Sequence, residues 1–163
     1  MVTLEEVTDA NIRRLNSSGI NCYGYAFTLN VQRSVDPGEL SGMPVPPDMS
    51  ACNDIIMRVL RDERFLCGGN CSVQYLGDNV NIRHYEQPNE TLVYMCVDTK
   101  RPDYHFYKKM PSPSNHWLHK PGQQGIRLTD GAGEMITDPR MADHNYVEHD
   151  YSLGCGFFLL RKK

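Results

Sequence analysis

Cys22, His105 and His119 have the residue types and the chain order of a thiol-based catalytic site. Cys22 begins a run in which apolar residues recur at helical spacing, so we expect it in the first turn of a helix. The start of a helix lowers the pKa of a thiol, and a neutral histidine nearby can accept its proton. The two histidines lie in segments with strand-like alternation, DYHFYKK (103–109) and NHWLHKPG (115–122). The pattern predicts Cys22 as nucleophile, His105 as base and His119 as the residue that orients the base.

These residues would carry out acyl transfer. His105 takes the thiol proton, the Cys22 thiolate attacks an amide carbonyl, and water then hydrolyses the acyl-enzyme. The peptide N–H of Cys22 would donate a hydrogen bond to the oxyanion. A second donor could come from one of three polar residues near the cysteine, Asn16, Asn21 or Tyr23.

Each assignment has a structural alternative. Free cysteines are among the most buried residues, so Cys22 could be a core residue. His105 could pack within an aromatic sheet, and His119 could end a strand at the surface. Asp138, in ITDPR, is a second candidate for orienting the base, although an Asx-type turn before Pro139 is the simpler explanation of it.

The remaining cysteines and histidines do not have the spacing of a metal site. Cys67 and Cys71 are separated by three residues, whereas structural zinc sites use pairs separated by two. On a strand, His116 and His119 would point to opposite faces. We therefore predict no metal and no cofactor, and we expect CGGNC to be a tight turn with two packed thiols.

The segment NCYGYAF (21–27) resembles the helix-start motif of the NlpC/P60 cysteine peptidases, which reads Asp-Cys-Ser-Gly-(aromatic or Leu)-Val. The chain has Asn21 and Tyr23 where that family has Asp and Ser. His105 and His119 follow the order and spacing of the family's two histidines. Together, NCYGYA, DYHFY, HKPG and ITDP also resemble small bacterial and phage-type domains of the papain-like superfamily. The resemblance implies a cysteine peptidase or amidase, with a peptide or peptidoglycan-like substrate.

The same resemblance leaves two other functions open. One is an intracellular, protein-directed cysteine protease or deamidase of toxin or effector type, whose partner could be an immunity or inhibitor protein. The other is a non-catalytic papain-fold module that binds a partner.

The secondary structure that would position these residues is predicted to be helical in the first part of the chain and β-stranded in the rest. Apolar spacing predicts helices from Thr3 to about Leu15, from Cys22 to Leu29, and from Asp48 or Ser50 to about Phe65. Short alternating segments predict strands at 72–76, 79–85, 91–98, 103–108, 115–119, 125–129 and 154–161. Helices followed by strands predict an α+β fold with N-terminal helices packed on a central antiparallel sheet. The resemblance makes it papain-like, and the length indicates one domain over residues 1–163.

Composition narrows the classes of partner and the location. The 163 residues include 17 basic and 20 acidic ones, a net charge of -3, so we expect no nucleic-acid partner. No apolar run approaches the ~20 residues that span a bilayer, so we expect no membrane partner either. The N-terminal sequence has no Sec-type signal pattern, which predicts a protein that is cytoplasmic as synthesised, with export by a dedicated route or phage lysis as the alternative. Its six cysteines are expected to be free thiols.

Overall fold

Five antiparallel strands form the centre of the protein. The computed structural model describes residues 19–121 and 125–163. Its strands are β1 (Cys71–Gly77), β2 (Glu90–Asp98), β3 (Asp103–Lys109), β4 (Trp117–His119) and β5 (Leu153–Lys162). They lie in the order β1-β5-β2-β3-β4, and each neighbouring pair is antiparallel. Strand β5 therefore lies inside the sheet, next to the edge strand, where it pairs with β1 on one side and β2 on the other.

The register of β2, β3 and β4 decides which side chains share a face. Cys96 pairs with His105, and Tyr107 pairs with both Tyr94 on β2 and His119 on β4. Because side chains alternate along a strand, His105 and Tyr107 lie on the same face as His119. The alternation predicted for DYHFYKK is confirmed.

Each face of the sheet has its own apolar core. Two α-helices, α1 (Cys22–Ala26) and α2 (Cys52–Arg61), pack on one face. There the ring of Phe27 lies 5.2 Å from that of Phe106 and 5.6 Å from that of Phe158, both in edge-on contact. In the core of the opposite face, half of the buried residues are aromatic, namely Tyr94, Tyr107, Trp117, Tyr151 and Phe157.

Helix α1 begins as the sequence indicates but ends early. Asn21 is its N-cap, and the Asn21 Oδ1 accepts a hydrogen bond from the Gly24 N–H at 3.1 Å. The prediction that the helix continues to Leu29 is wrong. Thr28 has a φ of 52°, in the left-handed region, which stops the helix after Ala26.

Two disulfides link distant and adjacent parts of the chain. Cys52, at the start of α2, is bonded to Cys155 of β5, and Cys67 is bonded to Cys71. The prediction of six free thiols is therefore wrong for four of them, and only Cys22 and Cys96 are free. The pairing of Cys52 with Cys155 depends on the insertion of β5 beside β1, which residue spacing does not reveal.

The predicted papain-like, NlpC/P60-like α+β fold is wrong. In the described ranges, α1 has five residues and α2 has ten, and the other helical segments are 3-10 turns at Glu39–Ser41, Glu63–Gly69 and Ile82–His84. These short elements do not form a papain-like helical layer, and the structure is mostly a sheet with long connecting loops. Apolar spacing predicted the buried face of each helix, but it overestimated the helix lengths.

Five of the seven predicted strands match the observed ones, and two do not. Residues 79–85 contain the Ile82–His84 turn, with His84 exposed, and residues 125–129 contribute isolated bridges from Arg127 and Thr129. The helix predicted from Thr3 to Leu15 lies outside the described residues. None of the described helices is long and apolar enough to cross a membrane.

The longer disulfide should contribute more to stability than the shorter one. Cys52 and Cys155 are 103 residues apart, whereas Cys67 and Cys71 are 4 apart. Restriction of the unfolded chain corresponds to about 4.7 kcal/mol for a loop of the first size and to about 2 kcal/mol for the second. We expect the Cys52→Ser/Cys155→Ser variant to lose more free energy of unfolding in urea than the Cys67→Ser/Cys71→Ser variant. Equal losses would contradict this expectation.

Candidate functional site

His105 and His119 form a hydrogen-bonded pair inside the protein. His105 Nε2 lies 2.9 Å from His119 Nδ1, and the two side chains are 1% and 0% exposed. The pair follows from the strand register, because His119 lies opposite Tyr107 and His105 precedes Tyr107 by two residues on the same face. The structure thus brings together the predicted base and the residue predicted to orient it.

The hydrogen-bond partners determine which nitrogen of each ring carries the proton. His119 Nε2 lies 2.7 Å from the Thr129 carbonyl oxygen, which can only accept, so this nitrogen is the donor. Neutral His119 then accepts at Nδ1, and His105 donates from Nε2. The Nδ1 of His105 therefore has a lone pair, and it is buried without a hydrogen-bond partner among the described residues. A lone pair in this state is suited to accept a proton.

Burial keeps both rings neutral at neutral pH. Desolvation lowers the pKa of His105 well below its usual value, and the neighbouring His119 lowers it further. Desolvation also lowers the pKa of His119 to about 4, although its hydrogen bond to the Thr129 carbonyl acts in the opposite direction.

Cys22 lies against the backbone of β3, within the core of the face that carries the two helices. Its Sγ is 3.9 Å from the carbonyl oxygen of Tyr104, and the Phe106 backbone also hydrogen-bonds to the sulfur. These peptide groups flank His105 in the chain. Since β4 pairs only with residues 107–109, the edge of β3 before them is left open for the cysteine.

The Cys22 thiol is protonated in the resting structure. Its side chain is 4% exposed, and burial raises its pKa to about 12, with a further contribution from Asp103. The thiol donates to the Tyr104 carbonyl. Cys22 and His105 both lie in the described ranges, and no hydrogen bond joins the thiol to the His105 ring. At rest the site therefore contains a neutral thiol and neutral imidazoles.

The predicted supporting residues have other partners in the structure. Asn21 caps α1, and its Nδ2 donates to the Val35 carbonyl at 2.9 Å. The Tyr23 hydroxyl donates to Asp62 Oδ2 at 2.7 Å, inside the helix-side core. Asn16 lies outside the described residues.

Asp138 is not in contact with the histidine pair. Its carboxylate forms an ion pair with Arg140 at 2.8 Å and also accepts a hydrogen bond from the Arg140 peptide N–H. Of the two residues considered for orienting His105, it is His119 that makes the hydrogen bond.

Residues 143–151, the covering loop, shield the histidine pair from solvent. The Tyr151 ring stacks on His105 with centroids 4.9 Å apart, and the Tyr146 ring lies 5.4 Å from His119. The sequence analysis did not identify the tyrosines of this segment as part of the site. The presence of two tyrosines in an otherwise polar loop could have indicated that the loop packs against the protein.

Polar contacts hold the covering loop in place. His149 Nδ1 lies 2.9 Å from Asp98 Oδ2, and the Tyr151 hydroxyl donates to Asp103 at 2.8 Å. A cavity of about 490 Å³ is lined in part by Asp103, Arg127, Asp130, Tyr146 and Tyr151, and neither His105 nor His119 lines it. The two tyrosines therefore separate this cavity from the histidine pair.

Within the described ranges, no three His, Cys, Asp or Glu side chains are placed to hold a metal ion. Cys67 and Cys71, which were considered as ligands, are bonded to each other.

The histidine pair should make stability depend on pH. The pKa of His119 is lower in the folded protein, about 4, than its ordinary value of 6.5, so its contribution is complete above pH 6.5 and is lost as the pH falls towards 4. This window corresponds to about 3 kcal/mol. We expect His119→Gln to be less stable than wild type at pH 7 but to lose less stability between pH 7 and pH 4, as measured by urea unfolding. The exposed His84→Gln should parallel wild type, and a parallel curve for His119→Gln would contradict the assignment.

Comparison with known proteins gives one family relationship. No family model matches the chain, and no solved structure gives a significant match. Among curated proteins, insoluble matrix shell protein 1 of Ruditapes philippinarum is 31% identical over 138 residues, which cover 83% of this chain and 79% of that protein. The match extends over most of both chains, and this protein belongs to the same family as insoluble matrix shell protein 1.

Proposed function

We propose that the protein is a thiol hydrolase, a cysteine peptidase or amidase that cleaves an amide or peptide bond with Cys22 as the nucleophile. The observation that supports this most directly is the buried, unpartnered Nδ1 of His105. Leaving a buried polar atom without a partner costs about 1–3 kcal/mol, and such atoms in folded proteins are rare. This cost is explained if Nδ1 must be free to accept a proton during the reaction.

The hydrogen bonds around His105 are consistent with that role. His119, held by the Thr129 carbonyl, orients the ring so that Nδ1 is the basic nitrogen. When substrate binds, the Cys22 thiol turns from the Tyr104 carbonyl to His105 and transfers its proton to Nδ1. The sulfur then attacks the amide carbon, His105 protonates the departing amine, and water releases the acyl group.

The backbone around Cys22 offers donors for the negative charge. The Phe106 and Tyr23 peptide groups hydrogen-bond to the sulfur and favour the thiolate, and the Cys22 N–H would serve the oxyanion. Helix α1 has only five residues, so its dipole adds little.

The order Cys22, His105 and His119 in the chain supports a peptide substrate of the kind that NlpC/P60 peptidases cleave. Peptidoglycan stem peptides are the first substrates to screen, and a protein-directed protease or deamidase is the alternative within the same chemistry. We also propose that the protein acts outside the cell rather than in the cytoplasm. Two disulfides support this location because such bonds persist in oxidising compartments, and the relative is a shell matrix protein.

A second candidate function is a structural constituent of an insoluble extracellular matrix. The name of the relative favours it, as do the two disulfides. In that case Cys22, His105 and His119 are core residues without a reaction to perform. The two functions differ in whether the chemistry of Cys22 depends on His105.

Alkylation of the free thiols distinguishes the two functions. Cys96 is also free and buried, and its thiol donates to the His105 carbonyl rather than to the His105 ring, so it is an internal standard. Since His105 can accept the Cys22 proton, we expect iodoacetamide at pH 7.5 to modify Cys22 at least about tenfold faster than Cys96, and His105→Ala to remove that difference. Peptide mass spectrometry measures both rates.

The exposed His84→Ala is the matched control and should leave both rates unchanged. If the screen of stem peptides yields a cleaved substrate, Cys22→Ala should abolish its cleavage. A Cys22 that reacts as slowly as Cys96, with no effect of His105→Ala, would contradict the hydrolase and favour the matrix constituent.

A further inference from the structure

Asn89 is exposed in a tight turn that leads into β2. The Glu90 N–H donates to the Gln87 carbonyl at 2.9 Å, and the Glu90 carboxylate accepts in return from the Gln87 N–H at 3.3 Å. Pro88 occupies the second position of this turn, where its fixed φ is favoured. The turn therefore presents Asn89 at a defined place on the surface.

The backbone of Asn89 is held by the sheet, whereas its side chain is free. Its carbonyl oxygen accepts a hydrogen bond from the Lys162 N–H at 2.9 Å, which extends the β2–β5 ladder by one residue. Among the described residues, its side-chain amide has no hydrogen-bond partner. An enzyme can therefore reach this amide without breaking a contact of the folded protein.

Asn89 begins an acceptor sequence for N-linked glycans. Asn89, Glu90 and Thr91 have the pattern Asn-X-Thr, in which the middle residue is not proline. The pattern is informative in a protein that is secreted, and the two disulfides supply that context because they form in oxidising compartments such as the ER lumen. That lumen is also where such glycans are attached.

Two other acceptor sequences begin at Asn16, which lies outside the described residues, and at Asn70. Asn70 is exposed just before β1, but the next residue, Cys71, is bonded to Cys67. The Asn70 N–H also donates to the Cys67 carbonyl at 3.3 Å. The disulfide loop thus restricts the conformations of this sequence, whereas no such bond restrains the one at Asn89.

We propose that Asn89 is an N-glycosylation site whose donor substrate is an oligosaccharide carried on a lipid diphosphate. The Nδ2 of Asn89 forms a bond to the anomeric carbon of the first sugar. The bond from that carbon to the diphosphate oxygen breaks, and the oxygen keeps the electron pair. The amide loses one proton, so the transfer needs no oxidant or reductant. The inference goes beyond the proposed hydrolase and does not depend on the chemistry of Cys22.

A glycan at Asn89 lies far from the covering loop. Strand β2 has nine residues, so at about 3.3 Å per residue its two ends are roughly 26 Å apart. Asn89 precedes one end, and Asp98, which contacts His149 of the covering loop, forms the other. The glycan therefore shields the Asn89 end of the sheet and leaves the histidine pair and its covering loop unobstructed.

The test is site mapping on the full chain, secreted from cultured eukaryotic cells behind an added signal peptide. Peptide-N-glycosidase F, used in water enriched in heavy oxygen, converts each glycosylated asparagine to a labelled aspartate, which peptide mass spectrometry locates. We expect the label at Asn89 and a gain in gel mobility after digestion. The same digest reports on Asn16 and Asn70.

Variants of the acceptor sequence separate enzymatic transfer from other modifications. Asn89→Gln removes the acceptor amide, and Thr91→Val removes the required hydroxyl while nearly keeping the shape of this buried side chain. Both should lose the glycan at this position, whereas Thr91→Ser keeps the hydroxyl and should retain it. Asn70→Gln is the matched control, exposed at the same end of the sheet, and should leave the label at Asn89 unchanged.

An unlabelled Asn89 in wild-type protein that is secreted with both disulfides formed would overturn the inference, and so would a label that persists in Thr91→Val. If Thr91→Val is not secreted, the exposed Asn89→Gln carries the same expectation through the loss of the gel shift. Each of these results leaves the proposed hydrolase as it stands, because the alkylation of Cys22 is measured independently of the glycan.

Discussion

The hydrogen bond between His105 and His119 requires one register of β3 against β4. Tyr107 must lie opposite His119, because a slip of one residue would turn one of the histidines to the other face. The two buried imidazoles are hydrogen-bonded to each other, and the Thr129 carbonyl accepts from His119, so within the described residues the His105 Nδ1 is the one ring nitrogen of the pair without a partner. The edge that β4 leaves open on β3 is also the place where Cys22 packs. The same ladder thus places all three residues of the candidate site.

Short-range patterns in the sequence predicted the parts of the fold that depend on residues close together in the chain. Alternation in DYHFYKK identified the face of His105, and the short strands indicated an antiparallel sheet. The insertion of β5 between β1 and β2, and with it the Cys52–Cys155 disulfide, depends on contacts across about a hundred residues. No short-range pattern carries that information. The helical layer was overestimated because apolar spacing does not show where a residue such as Thr28 ends a helix.

The candidate site was also only partly predictable, because local patterns reveal some of its residues and long-range contacts bring in the others. Chain order and strand alternation led to Cys22, His105 and His119, whereas the covering loop was missed because Tyr146 and Tyr151 reach the histidines only through tertiary folding. The relative, insoluble matrix shell protein 1, shares 31% of its residues with this chain over 138 positions.

The deep burial of the two free cysteines has a consequence for the two disulfides. Only a thiolate attacks a disulfide, so a reactive free cysteine would reshuffle Cys52–Cys155 and Cys67–Cys71. Burial raises the pKa of Cys22 to about 12 and raises the pKa of Cys96 as well, so both thiols are protonated in the resting structure. The protein can therefore keep two thiols and two disulfides in one chain without scrambling, for as long as both thiols stay inside.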